Sequence, residues 1–246
     1  MIGKSEVNMK HKYQQKKAFK AAFPYTLPIC ASFLFLGISY GFFMVQSGFS
    51  PLFPMMMSAV IFAGSMEFVT THLLLGSFNP VGAFLLALTV NARHLFYGIS
   101  MLDRYKDVGK KKFYLIFGLC DESFSINCTA DIPKDVDRGL FYFYVTLLNQ
   151  LYWVFGASLG GFAGNLIPFR IEGLDFVMTA LLVVLFLENW LKEKHHISSV
   201  IGISGTILCR MIFGSESFII PSMIFILGTL TLTRKQVEKM EETVCI

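Results

Sequence analysis

Three short runs in this 246-residue chain carry most of the ionisable chemistry inside otherwise apolar sequence. They are Ala63-Gly64-Ser65-Met66-Glu67-Phe68, Asn91-Ala92-Arg93-His94 and Cys120-Asp121-Glu122-Ser123-Phe124-Ser125. Between Ala21 and Ala92 the single formally charged residue is Glu67, about sixteen residues into its apolar segment and so near the middle of a bilayer. An ionisable group in hydrocarbon costs about 2.5–3.5 kcal/mol on insertion scales, so such groups face a bundle interior rather than lipid. The interior charges are Glu67, Asp121 and Glu122 against Arg93 and Arg210. At least one carboxyl therefore lacks a cationic partner, and desolvation moves such a group toward neutral-range titration. That chemistry suits proton-coupled transport, with Glu67 or Asp121 as carrier and Arg93 as counter-ion or as binder of a substrate carboxylate. Structural alternatives stand beside it: Arg93 snorkelling to an interface, an acidic pair held by Arg93 or Arg210, and His72 and His94 as packing residues.

The elements that position these residues are set by composition. The chain is 54% hydrophobic and 15% charged, with a mean hydropathy of +0.58; a soluble domain carries about 25% charged residues. Turn residues and charges divide it into apolar blocks at about 22–47, 51–75, 79–102, 113–130, 139–163, 174–191, 197–214 and 217–233. Lipid offers no partner for backbone polar groups, so the blocks are helices, and the alternation of membrane strands is missing. The expected fold is an all-α integral membrane protein, a polytopic bundle of seven to eight membrane segments. Its expected domains are a basic cytoplasmic tail, 1–20, a single transport domain, 21–233, and a polar C-terminal tail, 234–246.

The tail carries six Lys against one Glu, a charge of +5 out of a net +4, which leaves −1 for the rest. That concentration marks a cytoplasmic segment beside anionic headgroups and argues against nucleic-acid binding. Loop 103–112 holds Arg104, Lys106, Lys110, Lys111 and Lys112, whereas loop 131–138 holds only Lys134 and Arg138. If the tail and loop 103–112 share the cytoplasmic side, three apolar blocks make two net crossings, which requires one re-entrant or broken element. The alternative is eight complete helices with a basic loop outside. A faint repeat links Gly37-Ile38-Ser39-Tyr40-Gly41 with Gly156-Ala157-Ser158-Leu159-Gly160. Glycines four apart let helix backbones approach closely, and this topology expects the two blocks to run in opposite directions, as in an inverted repeat.

Cys30, Cys120, Cys128, Cys209 and Cys245 show no zinc-type spacing and read as reduced packing residues, so no metal or cofactor is expected. Segment 1–20 lacks the layout of a secretory signal. An intramembrane enzyme built on Ser65 with His72 or His94 is one competing class, weakened by the missing Gly-x-Ser-x-Gly elbow. A channel or non-transporting assembly subunit is another.

In their order and gaps the runs Ala63–Phe68, Val90–His94 and Asp121–Phe124 resemble the AzlC family of bacterial branched-chain amino-acid permeases, over about residues 20–215. The resemblance implies export of leucine, isoleucine, valine or analogues across the inner membrane, by a large subunit joined to a small AzlD-type membrane protein. Many members of the family carry glutamine at the position of Glu67, which makes Asp121 or Glu122 the more general proton carrier. Such a zwitterionic substrate needs a cationic group, an acidic or carbonyl group and apolar walls. Gly64, Ser65, Glu67, Asn91, Arg93 and His94 are the expected binding residues, and Glu67, Asp121 and Glu122 the expected proton-coupling residues.

Overall fold

The computed structural model describes residues 2–77, 79–166 and 196–218, with isolated residues between 176 and 191 and between 221 and 232. Among them every regular element is a helix. Most of block 174–191, part of block 217–233, and all of 234–246 with Cys245, lie outside the described residues. Residues 1–177 and 178–246 form two compact units.

The first unit is built on α1 (Ile2–Gln46) and α8 (Arg138–Leu166). The basic segment is helical from Ile2 and continuous with α1. The two helices meet backbone to backbone at their glycines. A Cβ on Gly41 would lie 2.1 Å from the Ala157 carbonyl oxygen, and one on Gly160 would lie 2.0 Å from that of Ile38. Phe19 meets Tyr144, Gly37 meets Gly156, and Gly164 meets Phe42. Residue numbers rise together along both helices, so α1 and α8 run parallel. This corrects the antiparallel expectation, and the reason lies in the blocks between them.

Block 51–75 is a helical hairpin. α2 (Leu52–Val60) runs down α8, from Pro51 and Pro54 against Gly161 to Ala59, whose carbonyl accepts a hydrogen bond from Gln150 at 3.0 Å. The chain reverses at Ile61-Phe62-Ala63, where Phe62 has φ of 47°, a left-handed conformation costly for an aromatic residue. α3 (Gly64–Leu75) then returns along α1, with Phe68 on Tyr40, His72 on Phe43 and the Thr71 hydroxyl on the Met44 sulfur.

α4 (Pro80–Val90) and α5 (Ala92–Met101) are separated by a break at Asn91 and lead to the end of the bundle where α1 begins. There Met101 and Tyr105 share a core with Ala18, Ala22, Val136 and Leu140. Block 113–130 is a second helical hairpin, starting from this end. After a 3-10 turn at Gly109–Lys111, α6 (Lys112–Phe117) rises beside α8, placing Tyr114 on Phe143 and Gly118 on Thr146. α7 (Asp121–Thr129) returns beside α5 through the pairs Arg93–Asp121, Tyr97–Phe124 and Met101–Cys128. Two blocks that turn back leave α8 parallel to α1. The expectation of one discontinuous element thus becomes three breaks, two of them hairpin tips. The tips meet at Phe62 and Gly118, where a Cβ on the glycine would lie 3.7 Å from the Phe62 ring.

By length and apolarity two described helices qualify as crossing segments, Lys12–Gln46 and Ile197–Gly214. Breakage explains why blocks two to four do not: each is divided into half-helices of 6–12 residues. In the second unit α9 (Ile197–Ser217) is interrupted at Gly214 (φ 77°) and packs Gly205 against Phe225.

Candidate functional site

The three polar runs sit at the three breaks, and each opens a half-helix. Ser65 lies in the first turn of α3, Arg93 in that of α5 and Asp121 in that of α7. The Arg93 guanidinium joins them: Nη1 is 2.6 Å from Asp121 Oδ2, and Nη2 donates to Ser65 Oγ at 3.4 Å. Half-helix N-termini expose unpaired N–H groups and a partial positive charge. Asp121 at the start of α7 complements that charge; Arg93 at the start of α5 does not, and its ion pair offsets the cost.

The pair is not sealed. Arg93 and Asp121 keep 36% and 25% of their side-chain exposure, enough for a ligand to reach them. Yet Arg93 Nε, Asp121 Oδ1 and Asn91 Oδ1 are shielded atoms without a hydrogen-bond partner among the described residues. Unmet polar atoms are few in native interiors. Here one donor and two acceptors lie around a single ion pair, which is the complement of a group bearing both a carboxylate and an ammonium.

The AzlC protein family matches residues 28–167, more than half of the chain and all three breaks. The chain belongs to the AzlC family. It is 59% identical to the Bacillus subtilis "Branched-chain amino acid transport protein AzlC", over 96% of this chain and 93% of that protein. An "Uncharacterized membrane protein" of Haemophilus influenzae is 45% identical over 92% and 93% of the two chains. The "Inner membrane protein YgaZ" of Escherichia coli is 29% identical over 69% and 72%. No solved structure matches the chain.

Of the residues expected to form an AzlC-family site, the structure brings Ser65, Asn91, Arg93 and Asp121 together. His94 stands beside them, its Nδ1 3.3 Å from the Asn91 carbonyl oxygen and its ring against Tyr97. Glu122 neighbours Asp121 in the first turn of α7. Glu67 and Gly64 face elsewhere. The Glu67 carboxylate is fully buried, accepts the Trp153 indole N–H at 3.0 and 3.1 Å and the Ala63 N–H at 3.0 Å, and so ties the α2–α3 tip to α8. Gly64 lies under the Trp153 ring, where a Cβ would approach to 3.1 Å. Ser65 bonds Arg93, while His72 packs on Phe43, so no serine–histidine dyad is assembled among the described residues. Arg210 belongs to the second unit and lies over the Phe218 ring.

Sequence reasoning missed Asn149 and Trp153 of α8. Asn149 donates to Ser123 at 3.4 Å, and Trp153 holds Glu67. Their signal was present: Asn149-Gln150 is a polar pair inside an apolar helix, with Trp153 one turn beyond Asn149.

Proposed function

We propose that this chain is a membrane transporter of branched-chain amino acids whose substrate binds at the Arg93–Asp121 pair. Family membership and the name of the Bacillus subtilis relative support transport of that substrate class. The observation that carries the site is the convergence of three half-helix starts on one ion pair surrounded by unmet donor and acceptor atoms. Discontinuous helices that aim their N-termini at a substrate carboxylate are a recurrent transporter device. Arg93 Nε and the α3 and α5 starts take the carboxylate; Asp121 and the Asn91 oxygen take the ammonium.

Coupling follows from Asp121. Its carboxylate binds the ammonium or a proton, not both, so loading one releases the other, the exchange an exporter driven by an inward proton gradient requires. The hairpins α2–α3 and α6–α7 enter from opposite ends and each carries one wall of the site, so displacement of either tip opens it to one side. The tail end is assigned to the cytoplasm, because segment 1–20 and basic loop 103–112 share that end. The small AzlD-type partner rests on the family resemblance alone.

The test is efflux of labelled leucine, valine and methionine from vesicles holding the protein with and without such a partner. Efflux is scored against an imposed proton gradient and beside gradient-free exchange. Arg93→Ala is expected to lose both activities, and Asp121→Asn to keep exchange and lose gradient drive. Glu67→Gln keeps part of both, since its carboxylate is turned from the site. Wild-type behaviour of Asp121→Asn in both assays refutes the coupling role.

A further inference from the structure

α8 carries a second polar feature that the substrate site does not use. Tyr142, Thr146, Asn149 and Trp153 recur at helical spacing along one of its faces. Against them stand Tyr105, Gly118, Ser123 and Glu67 in turn. The lower half of this seam lies between α8 and α7, where Asn127 donates to the Tyr105 hydroxyl at 2.9 Å and its carbonyl accepts from Arg104 at 2.8 Å. Thr146, Asn149 and Asn127 are fully buried, and Thr146 Oγ1, Asn149 Oδ1 and Asn127 Oδ1 have no hydrogen-bond partner among the described residues. The seam opens below into a cleft of about 770 Å³ at the tail end, lined by Arg104, Asp107, Asp131, Asp137, Arg138 and Tyr142. Above, Ser123 bonds Asn149 and Cys120 beside Asp121.

Three unmet buried oxygen atoms in one seam exceed what an apolar membrane interior tolerates, and ordered water is the group that satisfies such atoms. We infer that the α7–α8 seam is a hydrated path that carries protons between the tail-end cleft and Asp121. The inference rests on the reading of Arg93–Asp121 as the transport site. A proton leaves the neutral Asp121 acid, which becomes the carboxylate as the ammonium binds, and passes along hydrogen-bonded water to the tail-end cleft by making and breaking O–H bonds only. Around that carboxyl stand Arg93, His94 and Tyr97 from α5 and Cys120 and Glu122 from its own hairpin, while Glu67 of α3 is turned to Trp153. Along the path the titratable groups are Tyr105 and Tyr142, and at the mouth Asp103 and Lys111 join the other charged residues of the cleft.

Two measurements test it. In a background without native cysteines, Thr146→Cys is challenged with silver ion from the tail side of oriented vesicles. Its thiol is expected to react much faster than that of Leu151→Cys, which stands on the exposed face of the same helix; equal or slower reaction overturns the path. Thr146→Val keeps the methyl that packs on Gly118 and removes the hydroxyl. It is expected to lower gradient-driven leucine efflux about tenfold, the weight of one hydrogen bond, with gradient-free exchange unchanged and Thr146→Ser restoring the drive. Equal loss of both activities, or loss of neither, overturns the path. Failure of the underlying site is separable: Arg93→Ala retaining exchange removes that reading whatever silver reports at position 146.

Discussion

The bond between Trp153 and Glu67 is the one contact that ties the first hairpin tip to α8 through a buried carboxylate, and it yields a quantitative expectation. Trp153→Phe removes the indole N–H that reaches both carboxylate oxygens, leaving the Ala63 N–H as the remaining donor. A hydrogen bond to a charged group is worth about 1.5–3 kcal/mol. The smaller ring also gives up part of the packing against Phe33, Tyr40 and Gly64, a fraction of the roughly 3–5 kcal/mol that complete removal of a buried Trp side chain costs. The total is about 3–5 kcal/mol of destabilisation. Glu67→Gln keeps an oxygen for the Ala63 and Trp153 donors but turns an amide NH2 toward the indole N–H, for about 1–2 kcal/mol. Because both changes act on the same bond, one removing its donor and the other its charge, the double variant is expected to fall short of additivity by about 1 kcal/mol. Unfolding of the four proteins in detergent, followed by loss of helical circular dichroism, measures this. A coupling below about 0.5 kcal/mol, the scatter expected of independent sites, refutes the latch. Since the latch positions Ser65 toward Arg93, Trp153→Phe should also raise KM for efflux more than it lowers the maximal rate.

Three further outcomes are expected. Gly160→Ala drives a methyl into the Ile38 carbonyl and should destabilise by about 3 kcal/mol, the upper range for overpacking, whereas Gly98→Ala, with nothing within 4 Å, should be neutral or stabilising by up to about 1 kcal/mol; thermal unfolding of both checks the contrast. Arg93→Lys keeps the charge but cannot span Asp121, Ser65 and a substrate carboxylate, so KM should rise roughly 10- to 100-fold with unfolding unchanged, as concentration-dependent efflux would show. The exposed Lys17–Asp135 pair ties α1 to loop 131–138: its hydrogen bond holds the Asp135 carboxyl below the usual 3.8. The carboxylate's contribution is full above pH 3.8 and disappears as pH falls through the lowered value. The small stability gap between wild type and Asp135→Asn should therefore close in acid, and also in high salt.

The helical class and the polar runs were legible because charge is costly in lipid, which leaves Glu67, Arg93 and Asp121 conspicuous against apolar neighbours. The re-entrant reading of block 51–75 was reachable from the basic residues of 103–112. The second hairpin was not, because block 113–130 has the length of a crossing, and its reversal depends on Gly118 meeting Thr146, a sequence-distant contact that no local pattern encodes. Helix direction inherited the error. Position in an apolar run marks Glu67 as an interior group but leaves its orientation open, and that is set by Trp153, 86 residues along the chain.

A break in a membrane helix frees backbone groups that lipid cannot satisfy, so each break needs local compensation. At the first tip the Glu67 carboxylate accepts the freed Ala63 N–H and holds Phe62 in its strained left-handed conformation. At the second, Asp121 at the start of α7 answers the helix dipole and pairs with Arg93 at the third break. The two compensations differ in reach. Glu67 is closed off by Trp153 and serves the fold, whereas Arg93 and Asp121 stay partly exposed and leave shielded atoms unmet. Acidic residues of similar depth therefore divide the work by accessibility: the sealed one fixes the position of a hairpin, and the open one is left to exchange partners.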